Sequence, residues 1–157
     1  MTVEGAQAVL IVDNDDHVLK MVEKMLEKDG FHTQATWSGH EALAWLRSRQ
    51  FEVLLVGDYL ADLHSTDFLR RVGKLRRPPA MMVMQSGTPT PAELRRYSSL
   101  GAAAVVSKGN MDEVRQMISL LCHRCAIGGS ACQRIRARKE TNRPRPSILK
   151  GGNDFLL

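Results

Sequence analysis

Val53-Leu54-Leu55-Val56-Gly57-Asp58 is the stretch that decides the fold. Four consecutive apolar residues leave no polar face, and the run is too short for a buried helix. It reads as a strand covered on both sides, as in a parallel sheet. Upstream, Ser38-Gly39-His40-Glu41 has the spacing of a capping box, with the Ser oxygen on an N3 amide and the Glu reaching back to the cap amide. Ala42, Leu43, Trp45 and Leu46 then form one apolar helical face. Before that helix, Phe31 to Thr36 alternates weakly as a strand. Val18, Met21, Val22, Met25 and Leu26 repeat at helical spacing up to Lys28, and Gly30 closes that helix as its C′ residue. Ala8-Val9-Leu10-Ile11-Val12 is a second continuous apolar run and a second buried strand.

Downstream the alternation continues. A helix from Ser65 to Leu75 is stopped by Pro78-Pro79. Met81-Met82-Val83-Met84 is a core strand. Thr90-Pro91-Ala92-Glu93 is a second capping box with Pro at N1, opening a helix to Leu100 that Gly101 closes. Ala103 to Ser107 is a fifth strand. Asn110 caps a fifth helix with Asp112 and Glu113 in its first turn and Val114, Met117, Ile118 and Leu121 on its apolar face. Five β–α repeats require parallel pairing and right-handed crossovers. The expected architecture is an α/β, doubly wound, five-stranded parallel sheet flanked by five helices.

Apolar residues make up 43% of the 157, charged residues 25% and aromatics 5%, a balance able to bury one core. No apolar run is long enough for a bilayer, and Met1 to Ala8 has no basic residue before the first apolar run, so neither a membrane span nor a secretory leader is expected. Three cysteines fit a cytoplasmic setting better than a disulfide framework. The net charge of +5 is unevenly placed. Residues 1–125 hold 15 basic and 15 acidic residues, whereas 126–157 hold 7 and 2. A folded unit over 8–124 and a basic, disordered tail over 126–157 follow, with the boundary near Ile127-Gly128-Gly129-Ser130. Phe155-Leu156-Leu157 ends the tail. Cys122-His123-Arg124-Cys125 with Cys132 falls short of the matched ligand pairs of a zinc site. Trp37 and Trp45 read as packing residues.

Ligands of such sheets sit beyond the carboxyl ends of the strands. Asp13, Asn14, Asp15 and Asp16 follow the first strand, Gly57 and Asp58 the third, Gln85, Ser86 and Gly87 the fourth, and Ser107, Lys108 and Gly109 the fifth. Carboxylates bind Mg²⁺ through oxygen, and a hydroxyl and an ammonium neutralise phosphoryl oxygens. With Val9-Leu-Ile-Val-Asp-Asn-Asp15, Phe51-Glu-Val-Leu-Leu-Val-Gly-Asp-Tyr-Leu-Ala-Asp-Leu63, Ser86-Gly87 and Gly101-Ala-Ala-Ala-Val-Val-Ser-Lys108 in this order, residues 8 to 122 resemble the response-regulator receiver family of two-component signalling. The resemblance implies the flavodoxin-like receiver fold of the chemotaxis regulator. It also implies a Mg²⁺ site on paired acids after strand one, a phosphoacceptor aspartate after strand three, a hydroxyl after strand four and a lysine after strand five. Asp13 matches the first acid, with Asn14 in place of the second and Asp15 beyond it. Ser86 matches the hydroxyl, with Gln85 as the alternative register. Lys108 matches the lysine, followed by Gly109 where Pro is usual.

At the acceptor position the match breaks. Counting forward from Val56 or back from Leu60-Ala61-Asp62 gives Gly57, which has no nucleophile. Asp58 is the candidate substitute, although alternation along a strand aims it away from the pocket. The family's switch aromatic falls on Val105, which has no equivalent swing. The expectation is a pseudo-receiver, not an enzyme, that binds a signalling partner without phosphoryl chemistry. The partner is a histidine kinase or another regulator. No cofactor is required. Mg²⁺ on Asp13 and Asp15 would be weak, since carboxylates are missing at 14 and 57. Without an aspartyl phosphate, Lys108 is expected to pair with Asp13. Asp13, Asp15 and Asp16 are expected to cap the next helix from the strand end, and Ser86 to cap a helix or turn. The competing reading is an active phosphorelay receiver using Asp58 with Mg²⁺. A weaker one is a nucleic-acid-associated regulator acting through the tail, where no aromatics interleave with the arginines. A homodimer through helix four, strand five and helix five would use Arg95, Arg96, Tyr97 and Arg115.

Overall fold

The computed structural model describes residues 7–126, with side chains as far as Cys122. The basic segment 127–157, its arginines, Cys132 and Phe155-Leu156-Leu157 lie outside the described residues, as does the side chain of Cys125. Five strands and five helices alternate: β1 (Ala8–Val12), α1 (Asp16–Lys28), β2 (His32–Thr36), α2 (Gly39–Ser48), β3 (Val53–Gly57), α3 (Ser65–Gly73), β4 (Ala80–Gln85), α4 (Pro91–Ser99), β5 (Ala102–Ser107) and α5 (Met111–Ala126). All strands pair in parallel in the order β2-β1-β3-β4-β5. Helix α5 runs to Ala126, two residues beyond the expected end of the folded unit at 124 and onto the first residue assigned to the tail.

The central strands have no polar face because both faces are covered. Val9, Ile11, Val53, Leu55, Met82, Met84 and Val106 pack under α1 and α5. Leu10, Val12, Leu54, Val56, Met81, Val83 and Val105 pack under α2, α3 and α4. The methionine strand is wholly buried, as expected. Trp45 packs at the edge of the second cluster, but Trp37 is 59% exposed and belongs to neither, which corrects its assignment as a packing residue.

The caps explain where the helices start. Thr90 forms a complete box, its hydroxyl accepting from Glu93 N and the Glu93 carboxylate accepting from Thr90 N. The Ser38 box is only half made. Ser38 Oγ accepts from Glu41 N, but the Glu41 carboxylate turns to the Thr36 hydroxyl at 2.6 Å, and Thr36 Oγ1 takes the Ser38 amide instead. Asp15 caps α1 by accepting from His17 N, and Asn110 Oδ1 accepts from Glu113 N to open α5.

Candidate functional site

The ends of β1, β3, β4 and β5 converge on one cluster. Asp13 follows β1 and is fully buried. Its Oδ1 accepts from Asp15 N at 2.9 Å, and its backbone N–H donates to Thr36 O. Its Oδ2 lies 2.9 Å from Lys108 Nζ, which rises from the end of β5. The same ammonium lies 3.3 Å from Asp58 Oδ1, just past β3. Asp58 Oδ2 accepts from Ser86 N at 3.1 Å, past β4. One lysine, 15% exposed, is thus held between two carboxylates. Burial opposes its charge, but the Asp13 and Asp58 carboxylates more than offset that and move its pKa up.

Gly57, the last residue of β3, makes this arrangement fit. A Cβ built on it would lie 2.2 Å from Asp13 Oδ2 and 2.7 Å from Asp13 Cγ. The Asp13 carboxylate therefore occupies the volume that any side chain at 57 would enter. The Gly57 carbonyl accepts from the Ser65 hydroxyl at 2.9 Å, which ties the strand end to the start of α3.

Several expected roles are changed by this geometry. Asp58 does not aim away from the cluster. Strand β3 ends at Gly57, so strict alternation no longer governs residue 58, and its carboxylate reaches Lys108. Ser86 enters through its main-chain N–H rather than as a turn cap, while Gln85 is buried and donates to Glu93. Asn14 is exposed. Val105 is buried on β5, opposite Val83. On the surface expected for a homodimer, Arg95 and Arg96 are exposed but Tyr97 is only 3% exposed and belongs to the same core cluster as Val105. Arg115 faces α1, where it grips Asp29 in a fork at 2.6 and 2.5 Å.

A divalent cation does not fit the residues present. Mg²⁺ asks for oxygen ligands at about 2.0–2.1 Å in an octahedron. Asp13 has one oxygen on the Asp15 amide and the other on Lys108, and Asp15 has turned to cap α1. Among the described residues no group of three His, Cys, Asp or Glu side chains is placed to hold a metal. The Lys108 ammonium already pairs with the Asp13 and Asp58 carboxylates.

One residue of the site region carries a role that sequence reading missed. Asp62, in the β3–α3 loop, accepts from Ser38 Oγ at 2.7 Å, from Gly39 N at 2.8 Å and from His40 N at 3.3 Å, and contacts His40 Nδ1 at 2.9 Å. It closes the N-terminus of α2 and pins the loop that follows Asp58. Burial works against its charge, yet these hydrogen bonds and the helix end hold its carboxyl far below the usual range. Asp62→Ala is expected to cost about 1–2 kcal/mol, as loss of a helix cap does. Because the folded pKa is depressed, the contribution is complete above the unfolded value of 3.8 and fades as pH falls below it. Urea titrations at neutral and acid pH check this: the gap between wild type and variant should narrow in acid.

Comparison with known proteins identifies the family and the fold. A family model described as "Response regulator receiver domain" matches residues 9–119. Among curated proteins, "Regulatory protein VanRc" of Enterococcus gallinarum is 23% identical over 105 residues, which cover 66% of this chain. The match spans 44% of that protein's length. A CheY-like response regulator receiver domain protein from Methanospirillum hungatei is similar in fold, with TM-score 0.69, 23% identity and coverage of 79% of this chain and 100% of that one. The receiver domain of Francisella response regulator 1452 gives TM-score 0.70, 18% identity and coverage of 76% and 98%. No helix among the described residues is long and apolar enough to cross a membrane. The family match takes in β1 through most of α5 and every strand end that builds the cluster, and on that ground the chain belongs to the response regulator receiver domain family, the signalling modules of two-component systems.

Proposed function

We propose that this chain is a pseudo-receiver, which acts in the cytoplasm by binding a signalling protein, a histidine kinase or another regulator, without accepting a phosphoryl group. It catalyses no reaction of its own and needs no cofactor. One observation carries the reading. The Asp13 carboxylate fills the volume beside Gly57 from which the family's acceptor aspartate would project, and Lys108 is satisfied by two carboxylates already in place. A phosphoryl group entering this cluster would meet negative charge without a metal to neutralise it.

A second reading has its own support. Asp58 turns toward Lys108 and Ser86 N, so a carboxylate does stand near the lysine, one residue from the usual position. Phosphorylation of Asp58 with added Mg²⁺ is the competing function. Incubating the full chain with acetyl phosphate and Mg²⁺, followed by intact mass measurement, separates the two. No mass gain, and no spectral change with beryllium fluoride, is expected. Stoichiometric labelling that disappears in Asp58→Ala would establish the competitor instead.

A further inference from the structure

At the end of the sheet opposite the Asp13–Lys108 cluster, the C-terminal end of α2 and the link after α3 enclose a groove lined by Leu46, Arg47, Arg49, Leu75, Arg76 and Arg77. All four arginines are exposed, and both leucines are half-buried. None of these arginines forms an ion pair among the described residues. Three exposed basic side chains elsewhere are paired, Lys20 with Asp16, Arg70 with Asp67 and Arg115 with Asp29; what distinguishes the groove is that its unpaired arginines face one another across an apolar floor. The partial negative charge of a helix end, about half an elementary charge, accounts for a basic residue in a last turn such as Arg47. It does not account for Arg76 and Arg77, which lie beyond α3 in the link to β4.

We propose that this groove binds an acidic segment of a partner protein, one in which carboxylates flank an apolar side chain. Arginine forks match carboxylates bidentately, and guanidinium is weakly hydrated, so Arg47, Arg76 and Arg77 around an apolar floor favour such a segment, while Arg49 is hydrogen-bonded to Gln34. Leu46 and Leu75 supply the floor for its apolar residue. Nucleic acid fits less well. Single-stranded binding needs open aromatic faces for stacking, and the Trp45 ring is covered by the Arg49 guanidinium at 5.4 Å. The groove does not share residues with the strand-end cluster, so this inference stands whether or not Asp58 accepts phosphate.

The test uses the full chain carrying Trp37→Phe, which leaves Trp45 as its one tryptophan. The probe is a short synthetic peptide of glutamates interrupted by leucines. A saturable change in Trp45 emission is expected, with affinity reduced about tenfold or more by Arg76→Glu combined with Arg77→Glu, and lost as salt is raised. Arg47→Glu, on the facing wall, should weaken binding in the same direction and gives a second reading if the double variant folds poorly. The proposal is overturned by an absent emission change, or by binding that both variants leave intact. It is also overturned if a short DNA duplex binds more tightly than the peptide and depends on the same arginines, which would make the groove a nucleic-acid surface.

Discussion

Lys108→Met is expected to destabilise the folded chain by about 3–5 kcal/mol at neutral pH, the usual cost of removing one partner from a buried ion pair. Asp13 is fully buried, and among the described residues its Oδ2 has no donor other than the Lys108 ammonium. Without that ammonium a carboxylate is left in the interior with a single amide hydrogen bond on its other oxygen. Asp58 loses the same partner but is 22% exposed, so water can solvate it. The pH dependence gives the cause away. In the wild type the folded pKa of Lys108 is raised, so its stabilisation is intact below the unfolded value of 10.5 and is lost as pH climbs through the folded value. In the variant that alkaline loss disappears, because the group whose folded pKa was raised is gone. Asp13→Asn added to Lys108→Met should restore more than half of the loss, because neither charge then remains. Urea unfolding of the three proteins across pH measures all of this. A single-variant cost below about 1 kcal/mol would mean that the ion pair is not what holds these strand ends together.

The fold was legible in the sequence because its signals are local. Val53 to Val56 and Ala8 to Val12 have no polar face, which only a doubly covered sheet satisfies, and Thr90-Pro91-Ala92-Glu93 marks a helix start within four residues. The cluster was legible as a set of strand ends for the same reason. What sequence alone did not reveal depends on pairs far apart in the chain. Asp62 serves Ser38, 24 residues earlier, and Arg115 holds Asp29, 86 residues earlier; no local pattern marks either pair. The direction of Asp58 was misread because alternation was carried one residue beyond the end of the strand. Tyr97 shows a signal passed over: it lies three residues after Leu94 on α4, the spacing of a shared buried face. Leu94 and Tyr97 are both in the core, leaving Arg95 and Arg96 to face solvent.

Gly57→Asp puts the proposed function to its hardest test, since it supplies the carboxylate that the family pattern places at this position. It is expected to cost about 2–3 kcal/mol in metal-free buffer rather than to slot in neutrally. The backbone is not the reason, because Gly57 is absent from the glycines with positive φ. The reason is contact: a Cβ at 57 would lie 2.2 Å from Asp13 Oδ2, so Asp13 has to swing away and give up its place beside Lys108. Gly57→Ala carries the same Cβ without charge and isolates that steric part, expected at about 1–3 kcal/mol. The charged variant should then respond to Mg²⁺ where the others do not. With Asp13 released and a second carboxylate beside it, two anionic ligands become free at adjoining strand ends. Mg²⁺ at ten times its Kd would add about 1.4 kcal/mol to that variant through binding to the folded state. Thermal melts with and without Mg²⁺ should show a rise in Tm for Gly57→Asp alone. If the metal-free variant is instead as stable as the wild type, Asp13 has a second resting place at no cost, and its carboxylate is not what closes the position. If wild type and variant respond to Mg²⁺ alike, the pairing with Lys108 does not keep the metal from Asp13, and the metal-independent reading of this receiver falls with it.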